Sequence, residues 1–375
     1  MSSNTLKVLQ VLPALNSGGV ERGTMEFARA LVDAGHESIV LSSGGLMVEK
    51  IEKEGSLHIS MPVHRKSLRS LFQVRPMRAL IQELQPDIVH VRSRVPAWIV
   101  WLAWRKLPEH SRPALVSTFH GMYSVNFYSA VMARAEHTIA ISDCVYDYMT
   151  TNYPIDPKRI TKIYRGLDPD TFHKGVCTPE WKRSLLVEYP QLQAKKIILM
   201  PGRLSRWKGQ EAFLAMMAEL IKLNDQCHGV IVGGAEPSKE HYLDELLALR
   251  DSLGLQKHIT LVGHRSDINA FYEWSDVTCH MSNKAEPFGR TVPEALATGT
   301  PVVAYERGGA SESLKDAFPQ GLVPADNISA FAHRVSELLT QQHTINLPDE
   351  FYLSYQANAT IDVYKKLLLS KRSSN

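Results

Sequence analysis

Apolar residues recur along this chain in two alternating forms. Lys7-Val-Leu-Gln-Val-Leu12 is a short apolar run of the kind buried in a sheet. Glu21 to Val32 then places Met25, Ala28, Leu31 and Val32 at helical spacing. The pairing repeats. Further strands are predicted at Ser38–Leu41, Leu57–Met61, Ile88–Val91, Ala114–Phe119, Thr138–Ile141 and Ile160–Tyr164. Helices are predicted at Leu71–Leu84, where Pro76 disturbs the pattern, at Ala97–Leu107 and at Cys144–Thr151. Strands alternating with helices predict a parallel sheet covered on both faces.

The alternation lapses from Asp168 to Lys195, where Pro169, Pro179 and Pro190 fall, and this segment reads as a linker. A second series begins at Lys196–Met200. It continues through helix Glu211–Leu223, strand Gly229–Val232, helix Lys239–Leu253, strand Ile259–Val262, helix Ile268–Trp274 and strand Val277–His280. Strands Pro301–Tyr305 and Gly321–Val323, helix Ile328–Leu339 and a last helix at about Phe351–Leu369 close it. The predicted fold class is α/β, with two doubly wound Rossmann-like domains. The first takes 1–170 and the C-terminal helix at about 351–375, the linker is 171–195, and the second domain is 196–350. Both glycine loops, Gly18-Gly19 and Gly202–Gly209, leave strand ends, where such sheets bind ligands. An interdomain cleft is expected.

Composition narrows the function. With 375 residues, two domains are accommodated; 44% hydrophobic and 22% charged content fits full cores. The net charge of +3 gives no bulk attraction to nucleic acid, so any basic site is local. Cys144, Cys177, Cys227 and Cys279 form no close pair, which points to neither a zinc site nor a disulfide framework. The polar start Met1-Ser-Ser-Asn-Thr and the lack of a run of about 18 apolar residues lead us to expect a cytoplasmic protein.

The chemistry centres on Glu286-Pro-Phe-Gly-Arg-Thr-Val-Pro-Glu294, followed by Ala-Leu-Ala-Thr-Gly-Thr-Pro-Val-Val303. Glu286 is expected in a loop and Glu294 in a first helical turn, with Pro293 suited to a helix start. Backbone N–H groups between them can meet a phosphate. Gly202-Arg203-Leu-Ser-Arg-Trp-Lys208-Gly209, between strand and helix, places Arg203 and Lys208 to converge on a diphosphate; solvated basic heads are the plain alternative. His120 falls at a strand's carboxyl end, a ligand position, though a lone His is more often structural. Asp168-Pro-Asp170 could hold Mg²⁺ but reads as turn chemistry. Trp98, Trp101 and Trp104 form a drifting helical stripe, with Arg92, Arg94, Arg105 and Lys106 flanking it. Contact with an anionic lipid surface or acceptor is one reading, and an ordinary packed helix the other.

These residues resemble family 4 of the retaining glycosyltransferases, with the GT-B fold. Gly18-Gly19-Val-Glu-Arg22, His120-Gly121, Arg203 with Lys208, and Glu286 with Glu294 stand in the family's order. The opening Leu12-Pro-Ala-Leu-Asn-Ser-Gly-Gly-Val-Glu-Arg-Gly23 and His90-Val-Arg-Ser-Arg94 further resemble bacterial enzymes of lipopolysaccharide core assembly. The resemblance implies a metal-independent retaining hexosyltransferase without cofactor. Its donor would be a UDP-sugar first, GDP-mannose second. Its acceptor would be a lipopolysaccharide core or related glycolipid at the inner face of the cytoplasmic membrane, with peripheral membrane contact. By this resemblance the first domain binds the acceptor and the second the donor. Glu286 and His120 would be the catalytic pair. Gly19, Arg203, Lys208, Arg265, Phe288, Gly289, Arg290, Thr291 and Glu294 would bind donor. Arg92, Arg94 and Arg165 are the acceptor candidates. Two departures stand out. Arg165-Gly-Leu-Asp168 replaces Asn-Gly-Val-Asp, and His280-Met-Ser-Asn283 lies where the family shows Pro-Ser. A nucleotide-sugar epimerase of the same fold and a catalytically silent binding subunit are the rival readings.

Overall fold

Parallel pairing between strands occurs in two separate sheets of the computed structural model, which describes residues 5–16, 18–235 and 240–374. Met1–Asn4, Ser17 of the glycine loop and Lys239 at an expected helix start lie outside the described residues. The first sheet contains β1 (Lys7–Val11), β2 (Glu37–Ser42), β3 (Leu57–Ser60), β4 (Ile88–Val91), β5 (Ala114–Phe119), β6 (His137–Ala140) and β7 (Ile160–Lys162). Their order is β3-β2-β1-β4-β5-β6-β7, every neighbour parallel. α1 (Gly19–Asp33), α2 (Val48–Lys53), α3 (Val74–Leu84), α4 (Arg94–Trp104) and α5 (Asp143–Asn152) make crossovers.

The second sheet contains β8 (Lys196–Pro201), β9 (Cys227–Val232), β10 (Ile259–Gly263), β11 (Val277–His280), β12 (Val302–Tyr305) and β13 (Leu322–Val323), in the order β10-β9-β8-β11-β12-β13. With it go α6 (Pro179–Glu188), α7 (Gln210–Leu223), α8 (Glu240–Ser252), α9 (Ile268–Trp274), α10 (Thr291–Ala297), α11 (Ala310–Ala317) and α12 (Ile328–Leu338). The last helix is α13 (Leu353–Ser374).

The chain forms two compact units, 1–166 with 352–375 and 167–351. α13 therefore packs in the first unit. Its Tyr364 is fully buried, edge-on to Phe27 of α1 at 6.2 Å, and its hydroxyl reaches His90 Nδ1 at 2.6 Å. His90 Nε2 bonds Thr118 Oγ1 at 2.7 Å, so the buried imidazole of β4 is satisfied from both sides.

The segment read as a linker is different in the structure. It contains α6, whose start carries local capping chemistry: the Thr178 side chain accepts from Trp181 N, and Pro179 takes a first position where no N–H is needed. Trp181 packs edge-on against Phe271 at 5.0 Å. Its indole N–H donates to Asp267 Oδ2 at 2.6 Å. Only Leu185 of α6 is buried, so no apolar stripe announced the helix. The predicted helix Leu71–Leu84 also divides. Leu68–Gln73 is a 3₁₀ turn and α3 starts at Val74, which puts Pro76 in the first turn, where it is tolerated. α2 and α11 are two helices that hydrophobic spacing alone did not indicate.

Candidate functional site

In each sheet the strand order reverses beside the first strand of its series. At such a point the loops leaving neighbouring strands diverge and open a crevice at their carboxyl ends. In the second unit these are the loops after β8 and β11, and they carry the two central motifs.

Lys208 comes from the β8 loop and Glu286 from the β11 loop. Lys208 Nζ lies 2.8 Å from Glu286 Oε1, with side chains 18% and 8% exposed. Gly209 makes the approach possible. Its φ is 89°, and a Cβ there would stand 2.0 Å from the Met281 carbonyl oxygen. Ser282 Oγ also donates to Oε1, and His280 Nε2 lies 3.3 Å from it, buried and without a hydrogen-bond partner among the described residues. Against the cost of burial, His280, Lys208 and Ser282 hold the Glu286 carboxyl below its ordinary range. Burial in turn lowers the His280 pKa, so its imidazole is neutral at physiological pH. The loop backbone is closed by Gly309 N, which donates to Glu286 O at 2.8 Å.

Glu294 lies in the first turn of α10. Arg290 Nε donates to its Oε1 at 3.0 Å, and the Tyr272 hydroxyl donates to Oε2 at 3.1 Å. Thr291, the first residue of α10, bonds His280 Nδ1 at 3.0 Å. Phe288 turns its ring inward, 4% exposed and stacked on Phe351. Its side chain is therefore core, and only its backbone can serve a ligand. Gly289 turns the loop at φ 73°. Arg203 is exposed, its carbonyl held by Gln210 Nε2 at 3.0 Å. Arg265 is engaged elsewhere: it forks onto Asp267 at 3.0 and 2.8 Å and reaches Glu188 at 3.2 Å. The Asp267 hydrogen bonds raise its pKa further, so this guanidinium is tied to α6 and the start of α9.

In the first unit, His120 follows β5 and lines a small hollow with Arg92, Arg165, His90, Thr118 and Gly23. Burial, with the charges of Arg165 and Arg92, keeps His120 well below its ordinary pKa. Both its ring nitrogens are shielded and have no hydrogen-bond partner among the described residues. Arg165 crosses to the start of α1, where its Nη2 donates to the Gly19 carbonyl. A Cβ at Gly19 would stand 3.0 Å from Arg165 Nη1. The glycine at 19 therefore admits a guanidinium, where the resemblance implied a ligand phosphate. Arg92 is 3% exposed, bonded through Nε to Gln10 Oε1 at 2.9 Å, and desolvation lowers its pKa to about 10. It lines the same hollow as His120. Arg94 stacks over Tyr123 at 4.9 Å and donates to Ser129 Oγ at 3.2 Å.

The tryptophan stripe of α4 is half-buried. Trp98 and Trp104 donate their indole N–H to the carbonyls of Tyr128 and Pro113, and Arg134 lies 4.4 Å from the Trp101 ring centre. Beside it opens a cavity of about 560 Å³, walled by Leu71, Val95, Trp98, Ile99 and Leu102, with Arg65 and Lys66 also lining it. Asp168 accepts from Asp170 N at 3.1 Å, as a turn residue does. Among the described residues no group of three or more His, Cys, Asp or Glu could hold a metal ion. Sequence reasoning did not single out Ser282 or Tyr272. It noted His280 only as a departure, although a polar residue at the end of a buried strand was the available signal.

Two family models match the chain: "Glycosyltransferase Family 4" over residues 17–171 and "Glycosyl transferases group 1" over 187–358. A glycosyltransferase structure from Rickettsia africae ESF-5 is 30% identical, covers 97% of this chain and 99% of its own, and superposes with a TM-score of 0.83. The HepE protein of Anabaena in complex with UDP is 21% identical, with 99% and 100% covered and a TM-score of 0.76. The lipopolysaccharide outer core galactosyltransferase WaaB is 16% identical, with 96% and 99% covered and a TM-score of 0.71. These last two are likenesses of fold.

Proposed function

Because this chain belongs to the glycosyltransferases of the GT-B fold, we propose that it moves a hexose from a nucleotide-sugar to a lipopolysaccharide core or related glycolipid, with retention. The observation that carries this reading is the buried Lys208–Glu286 pair at the switch point of the second sheet. A cation for a departing diphosphate and a carboxylate for an electron-poor sugar carbon come from the two loops that frame one crevice.

In this reading Glu294 takes ribose hydroxyls, while Arg203 and Lys208 take the diphosphate. Backbone N–H groups of the 288–291 loop meet donor phosphate or sugar. Glu286 lies by the anomeric carbon, and the neutral His120 offers one donor and one acceptor to a sugar hydroxyl. The bond from anomeric carbon to phosphate oxygen breaks, and its electrons stay on the diphosphate. An acceptor hydroxyl attacks from the same face and loses its proton to the leaving phosphate. Lys208 stabilises the charge that builds there, and Glu286 favours the oxocarbenium-like centre. Arg265 is held by Asp267 and Glu188, and no step needs a metal. UDP is the nucleotide favoured, supported by the UDP complex of the similar Anabaena protein.

For the acceptor, the support is the cavity beside α4. Phe72 and Phe127 in the neighbouring segments are 77% and 71% exposed. The stretches 61–82, 88–108 and 110–135 carry five, four and two Lys or Arg and no Asp or Glu. Apolar walls with cationic surroundings suit a lipid bearing anionic groups. Among the described residues no helix is long and apolar enough to cross a membrane. The reading is therefore of peripheral contact at the inner face of the cytoplasmic membrane, with Arg94 and Arg165 toward the acceptor.

A thermal-shift panel of UDP, GDP, ADP and their sugars, with and without EDTA, tests the donor site. A ligand at 100 times its Kd adds about 2.7 kcal/mol of stability. Stabilisation by UDP ligands that EDTA leaves unchanged is expected. No response to any nucleotide overturns the reading in favour of a silent binding subunit. Isomerisation of the donor without acceptor would favour the epimerase.

A further inference from the structure

We infer that Tyr272 is a positioning residue for Glu294: its hydroxyl, with Arg290, fixes the carboxylate so that both oxygens together face the two ribose hydroxyls of the donor nucleotide. The inference rests on the ribose role proposed above for Glu294 and goes beyond it, since it names what aims the carboxylate and what that aim decides.

The carboxylate is held once on each oxygen. The Tyr272 hydroxyl donates to Oε2 at 3.1 Å, and Arg290 Nε donates to Oε1 at 3.0 Å. A carboxylate has room for about four hydrogen bonds over its two oxygens, so each oxygen keeps about one more acceptor direction. Two such directions on one rigid group suit a pair of neighbouring hydroxyls better than a single one. The Glu294 side chain is 8% exposed, which leaves it little room to swing toward a ligand. The direction its two donors impose is therefore the one it offers.

Tyr272 is placed to hold rather than to bind. It comes from α9, is 1% exposed, and packs its ring 6.2 Å from that of Phe172. Its own carbonyl accepts from Ser275 Oγ at 2.8 Å and from Thr300 Oγ1 at 2.6 Å. Thr300 follows α10, whereas Glu294 lies in its first turn. One residue of α9 thus meets groups at both ends of the helix that carries the carboxylate. Arg290 is the other donor, but it stands in the loop assigned to the ligand. The buried tyrosine gives the cleaner test.

That test compares UDP with 2′,3′-dideoxy-UDP, which lacks both ribose hydroxyls, by calorimetric titration. Tyr272→Phe keeps the ring and removes the donor. It is expected to weaken UDP about fivefold to tenfold and to leave dideoxy-UDP within about twofold of the parent protein, the size of one misdirected hydrogen bond to a charged group. With UDP-glucose hydrolysis as readout, KM should rise by a similar factor at little changed kcat, because ribose contacts are alike in the ground and transition states. Equal weakening of both nucleotides, as a loosened fold would give, overturns the inference. Unchanged UDP binding, or a loss in kcat alone, also overturns it.

A double-mutant cycle by chemical denaturation needs no ligand. Tyr272→Phe should destabilise the parent protein more than it destabilises Glu294→Ala. Strictly additive losses overturn the contact. Glu294→Ala also separates the two readings. If it favours UDP over dideoxy-UDP as much as the parent does, or if the parent shows no preference, the ribose role of Glu294 itself fails. If it erases the preference while Tyr272→Phe keeps it, only the positioning role fails.

Discussion

A Cβ on Gly23 would stand 2.8 Å from Nη2 of Arg165. The guanidinium thus occupies the space that any larger residue at 23 would need, one turn along α1 from the carbonyl it binds at Gly19. The glycines of this helix are fitted to an arginine from the far end of the first sheet, beyond β7. Gly23→Ala is expected to displace the guanidinium and lower transfer activity roughly tenfold, and the same fall is expected of Arg165→Ala. The double variant should lose little more than either single one, because both act on one contact. Additive losses in kcat/KM would show that the two positions act separately.

The β8 loop should tolerate no side chain at 209. Gly209→Ala pushes a methyl onto the Met281 carbonyl and demands a left-handed backbone, which alone costs about 1–2 kcal/mol. Lys208 then loses its register with Glu286. A fall in Tm together with loss of nucleotide-induced stabilisation is expected, and retention of both would show that the loop has another way to close.

Stability should fall on acidification. His228 is 1% exposed, and burial, with His258 and Lys195 nearby, lowers its pKa to about 4. Between that value and the unfolded pKa of about 6.5, the unfolded chain binds the extra proton, so stability rises with pH through this window. It is fully present above about pH 6.5 and lost as pH falls through about 4, a contribution of about 3 kcal/mol if wholly expressed. His90, His120 and His280 act in the same direction. His228→Gln should flatten the decline in Tm between pH 7 and 4.5, and an unchanged slope would assign the acid sensitivity to the other histidines of lowered pKa.

The second unit should depend on α6. Trp181→Ala removes packing on Phe271 and Trp274 and leaves Asp267 without its indole donor. For a half-buried tryptophan we expect a loss of about 2–3 kcal/mol, read by chemical denaturation. A loss under about 0.5 kcal/mol would mean that the segment does behave as a loose connection.

The sequence alone was enough for what depends on local periodicity. Short apolar runs alternating with helical spacing are what a twice-built parallel sheet requires, and the positions of Lys208, Glu286 and Glu294 after strand ends follow from that alternation. It misread what local pattern does not encode. α6 exposes most of its surface and buries a single leucine, so its helical state rests on a cap and on contacts with Phe271 and Asp267, distant in the chain. Gly19 reads as an opening for a ligand until Arg165, far along the chain, is seen to fill it. A sequence does not show the Gln10, Asp267 and Glu188 groups that engage Arg92 and Arg265. Lys208 and Ser282 converge on one oxygen of Glu286 because the loops after β8 and β11 meet at the reversal of strand order. That convergence is a property of the sheet's topology, and only the tertiary structure decides it.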